Sequence, residues 1–398
     1  MNKTFLSIFL FCLVSCLPSW SRQDTPALAV GAQRVKKYMP LLEGKRVALF
    51  SNQTGIVPKQ DGGHEMTLDL LLRHGIDVVT IFSPEHGFRG NADAGEKVAS
   101  GVDEKTGVPI YSLYGVKGGV PDSATMRKID VIVTDIQDVG LRFYTYYVTM
   151  VKLMDQCALH GKRMVILDRP NPNGFYVDGP ILDMKYKSGV GALPIPVVHG
   201  MTLGELGLMA NGMRWLDSGK RCDLKVIACE GYTRQTRYRL PVAPSPNLPD
   251  MKSIYLYPSM CYFEATQVSL GRGTDKPFKQ FGHPGMKGKG FSHEFTPRSV
   301  PGAKNPPQLG NLCYGRDLSD LPDSLIWSRG LDLSYLIEAY RAVGTGDKFF
   351  NSFFEKLIGV GYVRQMIEQG KSADEIKAMW AGDVDRFKKL RKKYLIYK

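Results

Sequence analysis

Short apolar runs alternate with amphipathic stretches through the first half of the chain. Four runs have the length and the β-branched content of buried strands, and they cover residues 46–50, 78–82, 131–134 and 164–167. The sequence between them has the apolar spacing of helices. Strands that alternate with helices indicate βαβ units, so the pattern predicts an α/β fold built on a mainly parallel sheet.

Three helices are predicted around these strands. Apolar residues recur at the spacing of one helix face near residues 68–72 and again over 147–154. Thr202 is followed three residues later by Glu205, which is the spacing of a capping box. We therefore expect a further helix to begin directly after Thr202.

The pattern changes near residues 241–249, where prolines recur too closely for a helix or a central strand. At about 100–200 residues per domain, a chain of this length predicts two domains. We place the boundary here, with a mainly parallel sheet domain over 27–243 and a smaller α+β domain over 244–398. The second domain is expected to be helical from about Leu331 onward.

The N-terminus has the features of a secretory signal peptide over residues 1–21. Lys3 precedes an apolar run over 5–17, which is too short for a membrane span. The tetrapeptide Leu-Val-Ser-Cys ending at Cys16 resembles a bacterial lipobox, so lipidation of Cys16 and simple cleavage nearer Ser21 both stay open. Either event predicts an exported protein, periplasmic or attached to the envelope by lipid.

The cysteines do not indicate a metal site. Of seven cysteines, the five beyond the leader show no Cys/His ligand spacing. An oxidising compartment would allow a disulfide such as Cys222 with Cys229, but the odd number and scattered positions favour buried thiols. We predict no bound metal.

The formal net charge of +13 is compatible with nucleic acid, but its distribution argues against that partner. The basic residues are dispersed, and the densest group, within 386–393, has the spacing of a solvated helix face. For an exported protein, we expect acidic polymers of the cell wall as the electrostatic partner, and no nucleic acid.

Polar clusters follow each of the four predicted strands. Because the carboxyl ends of parallel strands lie along one edge of a sheet, these side chains are expected to converge on one crevice. The candidate catalytic residues at this edge are Glu85, Asp135 and Asp138. The candidates for binding the substrate are Asn52, His86, Arg89, Gln137, Asp168, Arg169 and Asn171.

Several carboxylates in one crevice suit the hydrolysis of a glycosidic bond. That reaction needs one carboxylic acid to protonate the leaving oxygen and usually a second carboxylate, separated by about 5–5.5 Å for retention or about 6.5–9.5 Å for inversion. Glu85 is the candidate acid, because the proline before it and the glycine two residues later form a stiff turn. Asp135 and Asp138 could each be the second group or only order a loop. Asp168 could likewise only order the loop after it.

Motifs of other enzyme classes are absent from the sequence. It contains no GxxxxGK[ST] loop, no GxGxxG after the first strand, no GxSxG elbow and no HExxH helix. We therefore predict no cofactor.

Seven motifs in fixed order resemble those of the NamZ-type exo-β-N-acetylmuramidases, glycoside hydrolase family 171. They cover residues 51–55, 83–90, 135–146, 168–172, 199–202, 244–247 and 271–274. The resemblance implies a Rossmann-like N-terminal domain without a nucleotide, a smaller C-terminal domain and an active cleft between them. It also implies release of N-acetylmuramic acid from the non-reducing ends of peptidoglycan fragments, in cell-wall turnover and recycling.

The resemblance also implies roles for two glutamates. Glu85 matches the proposed catalytic glutamate of the family, and Glu264 matches another acidic position that could supply the second carboxylate. The acetamido oxygen of the substrate could act in place of that second group.

Arginines near the crevice are expected to recognise the substrate. Muramic acid differs from N-acetylglucosamine by a lactyl carboxylate, which a guanidinium group binds well. Arg142, Arg169 and Arg272 are the candidates, although each could instead pair with a nearby aspartate. Tyr144 could stack on a sugar or pack in the core.

The leading hypothesis is therefore an exo-acting glycoside hydrolase whose substrates are muropeptides or the disaccharide of N-acetylmuramic acid and N-acetylglucosamine. The alternative is a non-catalytic wall lipoprotein that uses the same cleft to bind muropeptides. An amidase that acts on the peptide stem would need a zinc or an activated nucleophile, and the sequence offers no convincing set for either.

Overall fold

A computed structural model describes residues 27–59, 61–84, 87–89, 100–113, 117–344 and 346–398. The predicted signal peptide with Cys16, and the candidates Glu85 and His86, lie outside these ranges. Within the ranges, no helix has both the length and the apolar character needed to cross a membrane.

The described strands and helices alternate through the first half of the chain, and helices dominate its end. The strands are β1 (Arg46–Ser51), β2 (Ile56–Pro58), β3 (His64–Met66), β4 (Asp77–Ser83), β5 (Gly101–Val102), β6 (Pro109–Ser112), β7 (Val131–Asp135), β8 (Arg163–Leu167), β9 (Asp178–Ile181), β10 (Pro196–Val198), β11 (Asp223–Ile227), β12 (Gln280–His283), β13 (His293–Phe295) and β14 (Cys313–Asp317). The α-helices are α1 (Val35–Leu42), α2 (Thr67–Arg73), α3 (Ser123–Arg127), α4 (Tyr146–His160), α5 (Leu203–Gly212), α6 (Met251–Met260), α7 (Asp323–Arg329), α8 (Ser334–Val343), α9 (Phe354–Ile358), α10 (Tyr362–Glu368) and α11 (Ala373–Arg391).

A seven-stranded sheet in the order β11-β8-β7-β1-β4-β6-β5 forms the centre of the N-terminal region, residues 27–227. Its strands pair in parallel except for β5, which pairs antiparallel with β6. The four predicted strands are β1, β4, β7 and β8, so the α/β class with a mainly parallel sheet is confirmed. The sequence pattern missed β11, because its exposed and half-buried residues alternate and no continuous apolar run marks it.

The strand order reverses at β1. The chain passes from β1 to β4 on one side and later places β7 on the other side of β1. A crevice forms outside the carboxyl ends of the strands at such a switch point, because the connections leave in opposite directions. The predicted polar clusters follow the strands at this edge.

Both faces of the sheet are covered, which explains the continuous apolar runs of its strands. Successive residues of β8 point to opposite sides, with Met164 and Ile166 in one apolar cluster and Val165 and Leu167 in the other. The predicted capping box is confirmed at α5, where the Glu205 amide donates to the Thr202 hydroxyl and the Thr202 amide donates to the Glu205 carboxylate.

The C-terminal region, residues 251–398, is smaller and follows a linking segment over 228–250 that includes the proline-rich stretch. It combines helices α6 to α11 with a three-stranded antiparallel sheet in the order β12-β14-β13. Its apolar residues belong to the same cluster as one face of the large sheet. In α11, the buried Trp380 donates from Nε1 to Asp178 Oδ1 of β9 at 2.9 Å. The two regions are therefore packed into one body.

The cysteine prediction is confirmed for the described residues. The five cysteines are free and buried, at positions 157, 222, 229, 261 and 313. Burial raises the pKa of Cys229 to about 12, so its thiol stays protonated at neutral pH.

Arg142 joins the N-terminal and C-terminal regions. Its guanidinium is fully buried and donates to four backbone carbonyls: Pro180 at 2.7 Å, Ile195 at 3.0 Å, Leu357 at 3.0 Å and Ile358 at 2.7 Å. Leu357 and Ile358 belong to α9, Pro180 belongs to β9, and Ile195 directly precedes β10. This placement corrects the prediction that Arg142 binds a lactyl carboxylate, because carbonyl oxygens already occupy both terminal nitrogens.

An Arg142→Met variant should lose at least about 3 kcal/mol in the free energy of unfolding, because it leaves buried carbonyls without donors. Urea unfolding followed by circular dichroism measures the loss. The matched control is Arg46→Met, which removes a half-exposed ion pair with Asp130 and should lower the free energy of unfolding far less, because water screens exposed pairs. Equal stability losses in the two variants would contradict the proposed role of Arg142.

Candidate active site

A cavity of about 620 Å³ lies at the carboxyl edge of the large sheet, where both regions meet. The N-terminal region lines it with Pro84, Leu113, Phe143, Tyr144, Thr145, Tyr146, Thr149 and Lys152. The linking segment and the C-terminal region line it with Ser245, Asn247, Leu248, Tyr257, Glu264, Arg272, Phe278 and Phe353. Its size falls within the range of small-molecule sites, about 300–1,000 Å³.

Three predicted site residues reach this cavity directly: Tyr144, Glu264 and Arg272. Pro84, the residue directly after β4, also lines the cavity. Glu85 is the next residue in the sequence and lies outside the described residues, as does His86. The cavity therefore brings together three of the predicted site residues, and the aspartates predicted to converge with them, Asp135, Asp138 and Asp168, do not line it.

Asn52 supports the cavity wall and does not line the cavity itself. Its Nδ2 donates to the Tyr146 hydroxyl at 2.9 Å, and its Oδ1 accepts from the Thr54 amide at 3.0 Å. The hydroxyls of Tyr144 and Tyr146 both donate to the Pro244 carbonyl, at 2.9 and 3.0 Å. These bonds fix two aromatic wall residues against the linking segment.

The amides of Gln137 and Asn171 order loops behind the wall. Gln137 Nε2 donates to the carbonyls of Asp138 and Pro170, each at 2.8 Å. Asn171 Nδ2 donates to the Met201 carbonyl at 2.8 Å. Neither residue lines the cavity, so these two predicted binding residues hold loops in place and do not contact a ligand there.

Asp135 and Arg169 form a buried ion pair. Arg169 Nε lies 2.6 Å from Asp135 Oδ1, and Arg169 Nη2 lies 2.9 Å from Asp135 Oδ2. Thr67 also donates to Asp135, and Arg169 donates to the Ile56 carbonyl at 2.8 Å. Both side chains are buried and absent from the cavity wall. This corrects their predicted roles, because the carboxylate and the guanidinium bind each other away from the cavity and neither reaches a substrate there.

Asp168 anchors two distant segments. Its carboxylate accepts from the Thr202 hydroxyl at 2.7 Å, the Gly204 amide at 2.9 Å and the Tyr397 hydroxyl at 2.7 Å. Burial raises the pKa of Asp168 to about 6, although these hydrogen bonds oppose the shift. The residue thus ties the start of α5 and the end of the chain to β8, and it does not line the cavity.

Arg89 lies away from the cavity. Its guanidinium pairs with Asp103 at 2.6 Å, and its side chain is 43% exposed. It does not line the cavity, so the prediction that it contacts substrate finds no geometric support.

Asp138 is a buried carboxyl group behind Tyr144. Its Oδ1 accepts from the Gly140 amide at 2.7 Å, and its Oδ2 has no hydrogen-bond partner among the described residues. Burial raises the pKa of Asp138 to about 7, although backbone amides oppose the shift. Burial is also the main cause of the raised pKa of Tyr144, and the negative charge of Asp138 adds to it. Asp138 therefore changes charge near neutral pH without lining the cavity.

The C-terminal region contributes a carboxylate and a guanidinium to the cavity. Glu264 lies in a short 3₁₀ helix, Cys261–Ala265, and Arg272 lies in the glycine-containing loop after it. Arg272 Nη1 and Glu264 Oε1 are 3.4 Å apart, and both side chains are partly exposed. This pair lines the cavity on the side of the C-terminal region.

Sequence reasoning missed a polar stripe at the start of α4. The N-cap residue Thr145 and the helix residues Thr149 and Lys152 line the cavity and follow one another at the spacing of a helix face. Polar residues at this spacing on an otherwise apolar helix were the available signal. Ser245 and Asn247 were also missed as wall residues, although they belong to one of the seven motifs.

The titration of Asp138 predicts a pH-dependent stability. The folded pKa is about 7, whereas an unfolded aspartate titrates near 3.9. The folded state therefore binds more protons between these values, and stability falls as pH rises from about 4 to about 7. An Asp138→Asn variant should lack this contribution, so its stability relative to that of wild type should rise by about 1.4 kcal/mol per pH unit across that window.

Urea unfolding at several pH values measures this difference. Asp217→Asn, which removes a 65% exposed carboxylate, is the matched control and should follow the wild-type pH dependence. A stability difference between wild type and Asp138→Asn that stays constant with pH would contradict the assignment.

Comparisons with known proteins agree with this architecture. A family model described as the N-terminal part of the exo-β-N-acetylmuramidase NamZ matches residues 47–252, and one described as its C-terminal part matches 255–397. The peptidoglycan β-N-acetylmuramidase NamZ of Bacillus subtilis (strain 168) is 38% identical over 382 residues, which cover 90% of this chain and 89% of that protein.

Solved structures also resemble the chain. A DUF1343 family protein from Bacteroides fragilis NCTC 9343 is 60% identical, with a TM-score of 0.86 over 94% of this chain and 99% of that chain. A second DUF1343 protein from the same organism is 28% identical, with a TM-score of 0.75 over 93% of this chain and 99% of that chain. Because the two family models together match most of its length, this chain belongs to the NamZ family of exo-β-N-acetylmuramidases.

Proposed function

We propose that this chain is an exo-acting glycoside hydrolase that releases N-acetylmuramic acid from the non-reducing ends of peptidoglycan fragments, in cell-wall turnover and recycling. The observation that carries the proposal is the cavity at the sheet edge, which Pro84 lines beside the sequence position of Glu85 and which Glu264 lines from the C-terminal region. Family membership gives this cavity its substrate class.

In the proposed reaction, Glu85 is the general acid. It protonates the glycosidic oxygen while the bond from that oxygen to the anomeric carbon breaks, and water then adds to the anomeric carbon and loses its proton to a base. Aromatic residues such as Tyr144 and Tyr257 line the cavity in which this reaction is proposed to take place.

Glu264 is the second carboxylate in this proposal. Asp135 is bound to Arg169 and Asp138 lies behind the cavity wall, whereas Glu264 lines the cavity. Arg272 Nη1 lies 3.4 Å from Glu264 Oε1, and Glu264 is placed at the cavity wall as a base or a nucleophile would be.

A Glu85→Gln variant should reduce turnover of the reduced disaccharide by about 10²–10⁴-fold, because the amide has no acidic proton to donate. Free N-acetylmuramic acid is quantified by mass spectrometry, and the melting temperature verifies folding. Glu104→Gln, a substitution at an exposed glutamate, is the matched control and should keep wild-type turnover.

Full turnover by a folded Glu85→Gln protein would remove that residue from the mechanism. If the wild-type protein binds the disaccharide and releases no N-acetylmuramic acid, the non-catalytic binding lipoprotein is the better description.

A Glu264→Gln variant should lower kcat by about 10²-fold or more if this carboxylate is the second group. Steady-state kinetics on a chromogenic muramic acid glycoside measure the change. Retention of kcat would instead favour the acetamido oxygen of the substrate as the internal nucleophile. Glu294→Gln, at an exposed position of β13, is the control and should not change kcat.

We also propose export to the periplasm or the envelope. The support is the charged and apolar pattern of residues 1–21, with the Leu-Val-Ser-Cys tetrapeptide ending at Cys16. The mass of the N-terminal peptide of the mature protein distinguishes lipidated Cys16 from cleavage nearer Ser21, and an unprocessed Met1 would contradict export.

A further inference from the structure

A second cavity of about 370 Å³ adjoins the first and opens beside α4. The two cavities have Gly118, Val148, Lys152 and Gly189 in common as lining residues. We call the second cavity the side chamber. Its other lining residues include Asp155, Gln156, Lys187, Trp215 and Asp217. A ligand in the main cavity could therefore extend a substituent into the side chamber past Lys152.

Lys152 is the cation at the junction of the two cavities. Its ammonium group donates to the Gly118 carbonyl at 2.9 Å and forms no ion pair with a carboxylate of the described residues. An ammonium group has three donors, so further N–H groups remain for a ligand. The cation is partly buried, which strengthens its attraction for an anion relative to bulk water.

The other cations that line the two cavities each lie close to a carboxylate of the protein, whereas Lys152 pairs with none of the described carboxylates. Arg272 lies 3.4 Å from Glu264, and Lys187 lies 2.6 Å from Asp217. Within the part of the chain that the structure describes, each of these two is therefore partly neutralised by a carboxylate of the protein. Lys152 carries a charge that a ligand can neutralise.

We propose that Lys152 binds the lactyl carboxylate of the muramyl residue, and that the side chamber receives the lactyl substituent. The inference rests on the proposed function, because only the muramyl sugar carries this group. With the ring in the main cavity, the 3-O-substituent would leave it at the junction. A lysine suits this position because it is a compact charge that does not require the planar geometry of a guanidinium group.

This assignment replaces the arginines considered from the sequence. Arg142 donates to backbone carbonyls, and Arg169 is paired with Asp135. Lys152 thus becomes the specificity-determining residue that distinguishes muramic acid from N-acetylglucosamine. A charge-assisted hydrogen bond of this kind corresponds to about 10- to 100-fold in kcat/KM.

The test is a cycle that changes both the protein and the substrate. The p-nitrophenyl β-glycoside of N-acetylmuramic acid is compared with its lactyl methyl ester, which has no charge and differs otherwise only by one methyl group. Wild-type protein should prefer the acid over the ester by about 10- to 100-fold in kcat/KM. Lys152→Met should hydrolyse the two equally, and Lys152→Arg should recover part of the preference.

Lys185→Met is the matched control. Lys185 is 63% exposed, pairs with Asp183 and lines neither cavity, so its replacement removes one positive charge without changing the junction. It should keep the wild-type preference for the acid. A loss of preference in this variant would show that the overall charge, and not Lys152, sets the specificity.

A Lys152→Met protein that still prefers the acid over the ester would overturn the proposal. If its kcat/KM falls equally for both glycosides, the lysine has a purely structural role.

Failure of the proposed function would be distinct, since wild-type protein would then release no p-nitrophenol from either glycoside. In that case, titration calorimetry with free N-acetylmuramic acid and N-acetylglucosamine tests the role of Lys152 by comparing the binding affinities of the two sugars. Wild type should bind the former more tightly, and Lys152→Met should bind both equally. Unchanged discrimination in the variant would overturn the assignment.

Discussion

The buried ion pair between Asp135 and Arg169 holds the carboxyl edge of the central sheet together. Asp135 ends β7, Arg169 follows β8, and their partners Thr67 and Ile56 belong to the segments after β1. Breaking such a pair by removing one member costs about 3–5 kcal/mol, because it leaves the other charge buried without a partner. The chain continues from Asp135 to the wall residues Phe143 and Tyr144, so the pair fixes the start of this part of the site.

Buried polar groups need hydrogen-bond partners, and this requirement explains the other side-chain contacts at the carboxyl edge of the sheet. Asn52 bonds to Tyr146, Tyr144 and Tyr146 bond to Pro244, and these contacts place aromatic residues on the wall of the cavity. Arg142 then connects the N-terminal region to α9 of the C-terminal region. The cavity lies between two regions that share one apolar cluster, so its two walls have a fixed relative position.

Few charged groups of the described residues therefore face the cavity, where they could contact a sugar. Glu264 and Arg272 come from the C-terminal region, and Lys152 comes from the polar stripe of α4. These three are partly exposed to the cavity, in contrast to the aspartates that follow β7 and β8. Such a division is physically expected, because a charge that is completely paired inside the protein has nothing left to offer a ligand.

The sequence by itself determined the four central strands, the helix after Thr202, the buried thiols and the gathering of polar residues at one edge. These features follow from local periodicity and from the parallel arrangement that βαβ units impose. Only the tertiary structure decided which polar residues pair with each other and which face the cavity. Asp135 and Glu264 are both candidates for the second carboxylate in the sequence, but Asp135 pairs with Arg169 away from the cavity whereas Glu264 lines the cavity. Such placements depend on residues distant along the chain.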